Sequence, residues 1–355
     1  MASAASPQIR LAILDDYQGI APHHFAQFTS RLQITSYDNT LNPFDPSQHA
    51  ALLERLQPYQ IISTMRERTP FPRELIAQLP NLKLLLTTGS TNRAIDLLAC
   101  AEHGITVTGT TGGGRQQDLS GLVPPTPMVQ HTWALILGLA HNIAKEDASV
   151  KAGGWQESLT TSLSGKTLAL LGLGWLGAET AKIGVLAFNM KIIAWSMNLT
   201  QHEADAQAAR MGLPVGTFRV VQSKEELFRG ADVLSVHYVL SSRSKGIVGR
   251  KELEVMKPTA FFVNTSRGPL VDEDGLLDTL KEGKIKAAAL DVFDIEPLPL
   301  DSEWRTTQWG KDGRSDVLLS PHMGYVEEGV MSRWYEEQAE NVKRWLDGRE
   351  LMTRL

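Results

Sequence analysis

Leu168-Ala169-Leu170-Leu171-Gly172-Leu173-Gly174-Trp175-Leu176-Gly177 is the stretch on which the fold turns. Four apolar residues run into a Gly-x-Gly-x-x-Gly loop, and the loop opens onto a helical pattern, Ala178–Phe188. A strand, a tight turn and a helix in that order form a dinucleotide-phosphate site. The first glycine permits the turn, the second lets backbone approach a pyrophosphate, and the third lets helix and strand pack closely. The helix N-terminus adds unsatisfied N–H groups and a partial positive charge. Ser164-Gly165-Lys166-Thr167, just upstream, imitates the tail of a Walker A loop. It precedes a strand rather than following one, and Thr160 stands where that loop needs glycine.

Outward from this loop the chain alternates short apolar runs with helical patterns, which implies parallel βαβ units. Upstream, strands are expected at Leu11–Leu14, Gln60–Ser63, Leu82–Thr87 and Ile105–Thr108, with helices at Ser47–Leu56 and Arg73–Leu79. The pattern breaks at Thr110–Pro127, with Gly112-Gly113-Gly114 and Pro124-Pro125, and resumes as an apolar helix over Met128–Ala144. Downstream strands are expected at Thr167–Leu171, Lys191–Trp195, Val233–Val236, Ala260–Asn264, Ala287–Val292 and Val317–Ser320, followed by a last helix, Glu327–Leu346.

The bulk numbers bound the reading. A chain of 355 residues suits two domains. With 42% apolar and 21% charged residues it has the composition of an ordinary globular enzyme, and a net charge of −5 argues against nucleic-acid or anionic-membrane partners. Leu11–Leu14 is too short for a signal peptide, and no apolar run reaches a membrane span. The single cysteine, Cys100, lies in an apolar helical stretch and reads as a packed small hydrophobe; a cytosolic location is the default. The nine histidines show no metal-ligand spacing.

Ligands of open α/β sheets bind outside the carboxyl ends of the strands. Three segments place polar residues just there. Asn264-Thr265-Ser266-Arg267-Gly268 carries a guanidinium able to grip a carboxylate bidentately. Asp291-Val292-Phe293-Asp294-Ile295-Glu296-Pro297 ends on a strand-end acid and a turn acid, Asp291 and Glu296, and Ser320-Pro321-His322-Met323-Gly324 carries a histidine in an unusual backbone. The position near Gly177 plus twenty, where an acid would hold the ribose of NAD, is Ser196. A serine does not repel a 2′-phosphate, yet no Arg or Lys follows at once. NAD and NADP both stay open, with a lean to NADP.

Taken together, the glycine loop and these three segments resemble the D-isomer-specific 2-hydroxyacid dehydrogenase family, over nearly the whole chain. The resemblance implies an α/β protein of two domains: a Rossmann coenzyme-binding domain (121–325) inserted into a flavodoxin-like substrate domain (1–120 and 326–355). It implies an active site in the cleft and a homodimer through the coenzyme domain. It makes His322 the general acid–base, Glu296 its partner and Arg267 the substrate anchor. Gly172, Gly174, Trp175, Leu176, Gly177, Ser196, His237, Thr265 and Asp291 would hold the coenzyme, with Asp291 at the nicotinamide carboxamide. Thr88-Gly89-Ser90 would offer backbone N–H groups to a substrate carboxylate, and Arg66 would line the same site or else form a helix-capping salt bridge.

The implied chemistry is the reduction of a 2-keto acid to the D-2-hydroxy acid, or the reverse, in the manner of glyoxylate and hydroxypyruvate reductases. It needs a hydride at carbon and a proton at oxygen. A carboxylate beside an imidazole favours its charged form, so Glu296 would keep His322 loaded. The alternatives are a 3-phosphoglycerate dehydrogenase and a dinucleotide-sensing, corepressor-like binding protein with the same motifs. Formate dehydrogenase, resembling a site with glutamine where Glu296 stands, and a methyltransferase fit less well. The sequence departs from the family at Val239, where proline is common, at Gln130, where glutamate is common, and in two longer segments, Thr111–Pro125 and Leu300–Asp316. Either segment would be a pocket wall, a lid or a plain surface loop.

Overall fold

A computed structural model describes residues 8–111 and 124–355. The chain divides into two compact units, Met1–Gly121 with Glu327–Leu355, and Leu122–Val326.

The first unit is built on a five-stranded sheet of β1 (Ile9–Ile13), β2 (Leu32–Ser36), β3 (Ile61–Thr64), β4 (Leu84–Thr87) and β5 (Thr106–Thr108), in the order β2-β1-β3-β4-β5. All pairs are parallel. This is the flavodoxin-like order. β3 and β4 are buried at every position, as strands covered by helices on both faces must be. The last helix, Glu328–Leu346, belongs to this unit and buries Met331, Trp334, Tyr335 and Val342.

The second unit holds seven parallel strands: β6 (Thr167–Leu171), β7 (Lys191–Trp195), β8 (Phe218–Val220), β9 (Val233–Val236), β10 (Phe261–Asn264), β11 (Ala287–Leu290) and β12 (Asp316–Leu319). Their order, β12-β11-β10-β9-β6-β7-β8, is the doubly wound Rossmann order with one strand added at the far edge. Hydrophobic clusters cover both faces of the sheet: one gathers Trp133, Ile136, Leu168 and Phe261, the other Leu171, Phe228, Phe262 and Trp304. The strand order reverses at β6, between β9 and β7, so the glycine loop leaves the sheet at its switch point.

The structure corrects several boundaries. β2 and β8 were not legible as strands. Both lie at sheet edges, and polar residues interrupt them, Gln33 and Thr35 in β2 and Arg219 in β8, so neither carries an unbroken apolar run. The helix expected over Met128–Ala144 is two helices, Pro127–Ala140 and Ile143–Lys151. Asn142 separates them with φ 53°, a left-handed conformation that asparagine tolerates better than most residues. The helix after the glycine loop begins at Trp175, earlier than the apolar pattern suggests. Of the two longer segments, nearly all of Thr111–Pro125 lies outside the described residues. Leu300–Asp316 is anchored. Trp304 is 2% exposed, packs against Phe293 and Trp309, and donates its indole N–H to Glu273.

Among the described residues no helix is long and apolar enough to cross a membrane. Cys100 is buried, and burial pushes its thiol up to about 11, so it is a packing residue.

Candidate active site

The phosphate loop shows three glycines with three different jobs. Gly172 has φ 100°, and a side chain there would collide with the carbonyl of His237. A Cβ on Gly177 would lie 2.6 Å from the carbonyl oxygen of Gly172, so only glycine lets the helix sit this close to the turn. A Cβ on Gly174 would meet no atom of the described residues within 4 Å. Gly174 is also the N-cap of Trp175–Phe188 and supplies no capping side chain. The fourteen-residue helix thus starts at the switch point, where its first turn brings N–H groups and the positive end of its dipole. That cradle fits a pyrophosphate.

The other expected coenzyme residues all follow neighbouring strands. Ser196 follows β7, His237 follows β9, Thr265 follows β10 and Asp291 follows β11. The His237 imidazole has Nε2 2.9 Å from Ser235 Oγ, and burial pushes its pKa down to about 4, which keeps it neutral. Thr265 and Thr132 pair through their hydroxyls at 2.9 Å. Tyr238 reaches across from β9 to β7 and accepts the Met197 N–H at 3.3 Å. Tyr238 was not singled out from the sequence.

Arg267, Glu296 and His322 leave the ends of β10, β11 and β12, three strands adjacent in the sheet. His322 Nδ1 lies 2.6 Å from Glu296 Oε2, and both side chains are 18% exposed. A carboxylate accepts, so Nδ1 carries a hydrogen, and Nε2 is the atom that can exchange a proton with a ligand. Glu296 is itself oriented, since its Oε1 accepts the Phe293 N–H at 3.0 Å. Arg267 Nη1 donates to the Ser266 carbonyl at 2.7 Å, which leaves an edge of the guanidinium for a carboxylate. Asn264 holds that turn by donating to the Arg267 carbonyl. Gly268 ties the two segments together. A side chain there would run into the backbone of Phe293 and Asp294, with Asp294 N only 2.6 Å from its Cβ.

Asp291 is 1% exposed. Its Oδ1 accepts the Met323 N–H at 2.7 Å and its Oδ2 the Gly324 N–H at 3.1 Å. The carboxylate expected at a nicotinamide therefore has partners in the turn that carries His322, whose φ is 56°. A non-glycine residue held there costs on the order of 1–3 kcal/mol and persists only where its surroundings enforce it.

In the first unit the structure brings Arg66, Gly89 and Ser90 together at the ends of β3 and β4, and corrects how they work. The Gly89 N–H is donated to Thr110 Oγ1 at 2.7 Å and the Thr88 N–H to the Thr64 carbonyl at 3.2 Å, so neither is an open donor. Gly89 contributes space instead. It has φ 87°, and the Arg66 guanidinium lies where its side chain would be. Among the described residues Arg66 caps no helix; its guanidinium lies 5.9 Å from the Trp334 ring and its Nε 3.6 Å from Glu67.

Comparison with known proteins agrees with this layout. The family model described as D-isomer specific 2-hydroxyacid dehydrogenase, NAD binding domain, matches residues 133–324. A glyoxylate reductase of Aeropyrum pernix is 32% identical over 78% of this chain and 77% of its own length. A D-3-phosphoglycerate dehydrogenase of Methanocaldococcus jannaschii is 31% identical over 84% of this chain, a match that spans only 52% of that relative. The crystal structure of a phosphoglycerate oxidoreductase from Vibrio cholerae O395 superposes with a TM-score of 0.81 at 31% identity, covering 96% of this chain and all of that one.

Proposed function

The chain belongs to the D-isomer specific 2-hydroxyacid dehydrogenase family, and on that premise we propose that it reduces a short 2-keto acid to the D-2-hydroxy acid, or runs the reverse. The observation that carries this reading is the 2.6 Å His322–Glu296 pair, with Arg267 past the end of the adjacent strand. Arg267 grips the substrate carboxylate and draws electron density from the neighbouring carbonyl. His322 gives the proton on Nε2 to the carbonyl oxygen, and Glu296 stabilises the imidazolium before transfer. A nicotinamide dinucleotide, held by Gly172, Gly174, Trp175, Leu176 and Gly177, supplies the hydride when bound. Gly89 leaves the space that the Arg66 guanidinium fills, and Arg66 with Ser90 would serve the anionic group of the substrate in this reading.

NADPH is the preferred coenzyme in this reading, because Ser196 sets no carboxylate against a 2′-phosphate. A homodimer fits the exposed Ile143, Val150, Trp155 and Leu159 of the second unit, and the mass in solution checks it. A reducing compartment such as the cytosol suits the single, buried cysteine.

The test is a reductase panel of glyoxylate, hydroxypyruvate, its 3-phosphate and bulkier 2-keto acids, run with NADH and NADPH on the wild type and on His322→Ala. Turnover of at least one acid is expected, falling at least a hundredfold in the variant while coenzyme binding stays within threefold. Coenzyme binding with no turnover on any acid would point to a sensor. Full turnover by His322→Ala would refute the assignment.

A further inference from the structure

A second histidine serves the turn that carries His322, and it comes from far away in the chain. His131 lies on the helix Pro127–Ala140. Its Nε2 is 3.0 Å from Asp291 Oδ1 and 3.0 Å from Ser320 Oγ. Asp291 in turn accepts the N–H groups of Met323 and Gly324. The turn packs closely here. A Cβ on Gly324 would be 3.4 Å from Asp291 Oδ2, 3.7 Å from Met128 Cγ and 3.9 Å from His131 Cδ2. His131 and Asp291 therefore bracket Ser320–Gly324, with left-handed His322 inside the bracket.

The chemistry selects one state of His131. A carboxylate oxygen can only accept, and an unprotonated Nε2 at 3.0 Å would set lone pair against lone pair. Nε2 therefore carries hydrogen and donates to Asp291. A buried carboxylate needs its donors, because each one missing leaves a charge poorly solvated. Of the three donors that face this one among the described residues, two are the backbone N–H groups that hold the turn. The third is His131.

We propose that His131 is a positioning residue for the reduction. By donating to Asp291 it completes the donors of that carboxylate, which can then hold the Met323 and Gly324 N–H groups and keep His322 aimed. Without that N–H, Asp291 rotates toward other donors, and its grip on the turn weakens. Glu296 is anchored separately, through the Phe293 N–H. The turn then shifts against a fixed partner, and the His322–Glu296 pair is lost first.

This inference rests on the acid–base reading of His322, and the experiment separates the two. Glutamine extends an N–H to about the place of Nε2, whereas asparagine is polar but falls short. His131→Asn is expected to lower kcat at least tenfold with coenzyme affinity within threefold, and His131→Gln to stay within threefold of the wild type in both. Hydrogen exchange of the Met323 and Gly324 amides provides a readout that needs no turnover: faster in His131→Asn, restored in His131→Gln. Wild-type exchange in His131→Asn would overturn the proposal. So would a loss of protection in His131→Gln equal to that in His131→Asn. If His322→Ala keeps its turnover, the acid–base reading fails instead, and amide exchange still decides whether His131 holds the turn.

Discussion

Replacing His237 by glutamine turns the chemistry of the phosphate loop into a stability measurement. The partly buried imidazole lies beside Gly177, and desolvation takes its pKa from the ordinary 6.5 down to about 4. Between those values the unfolded chain binds a proton that the folded protein refuses. The folded-state pKa is the depressed one, so the stability contributed by neutral His237 is whole above pH 6.5 and is lost as pH falls toward 4. Each tenfold loss of proton affinity on folding is worth about 1.4 kcal/mol, which makes the whole window about 3 kcal/mol, with about 2 kcal/mol gone by pH 5. For a unit of about 200 residues each kcal/mol moves Tm by about 2–4 °C, so the share of His237 in the acid shift is about 4–8 °C. Glutamine keeps a polar group toward Ser235 and does not titrate. Melting curves without coenzyme at pH 8 and pH 5, for the wild type and His237→Gln, cancel every other titrating group. The variant is expected to lose about 4–8 °C less than the wild type between the two pH values. Equal losses would refute the claim that this histidine is desolvated and neutral.

The glycines give two further tests. Gly174→Ala meets no atom of the described residues, so its Tm should fall by only about 1–3 °C, the usual effect of alanine at an N-cap, while coenzyme affinity falls at least tenfold in a fluorescence titration. A Tm loss larger than this with coenzyme affinity unchanged would mean that the open space is not the ligand's. Gly268→Ala forces its methyl into the backbone of Phe293 and Asp294. Overpacking of this kind costs about 1–3 kcal/mol, and because the strain falls between Arg267 and Glu296, kcat should drop by at least tenfold as well. Unchanged kcat and Tm together would show that the two segments are not joined there.

What the sequence made legible was local. Leu168–Leu171 running into Gly172 declares a strand and a turn within ten residues, and Arg267, Glu296 and His322 each stand just past an apolar run. The strands Leu32–Ser36 and Phe218–Val220 are not legible because Gln33, Thr35 and Arg219 interrupt their apolar residues, whereas the edge strand Asp316–Leu319 keeps Val317-Leu318-Leu319 together. The break at Asn142 is set by one backbone torsion, and the occupied N–H of Gly89 by a hydroxyl from the neighbouring strand end. His131 stands 160 residues from Asp291, on a helix whose apolar pattern speaks only of packing. Asp291 shows most clearly why. Its place at a strand end was readable, but its partners are the N–H groups of Met323 and Gly324, and nearly every residue has such a group. The type of a buried acid therefore says that donors must exist and not where they lie. Only the left-handed turn at His322 brings two of them to one carboxylate. The acid that a motif assigns to the ligand is thus the same acid that holds the turn of His322, and under the proposed function the two tasks would share one pair of oxygens.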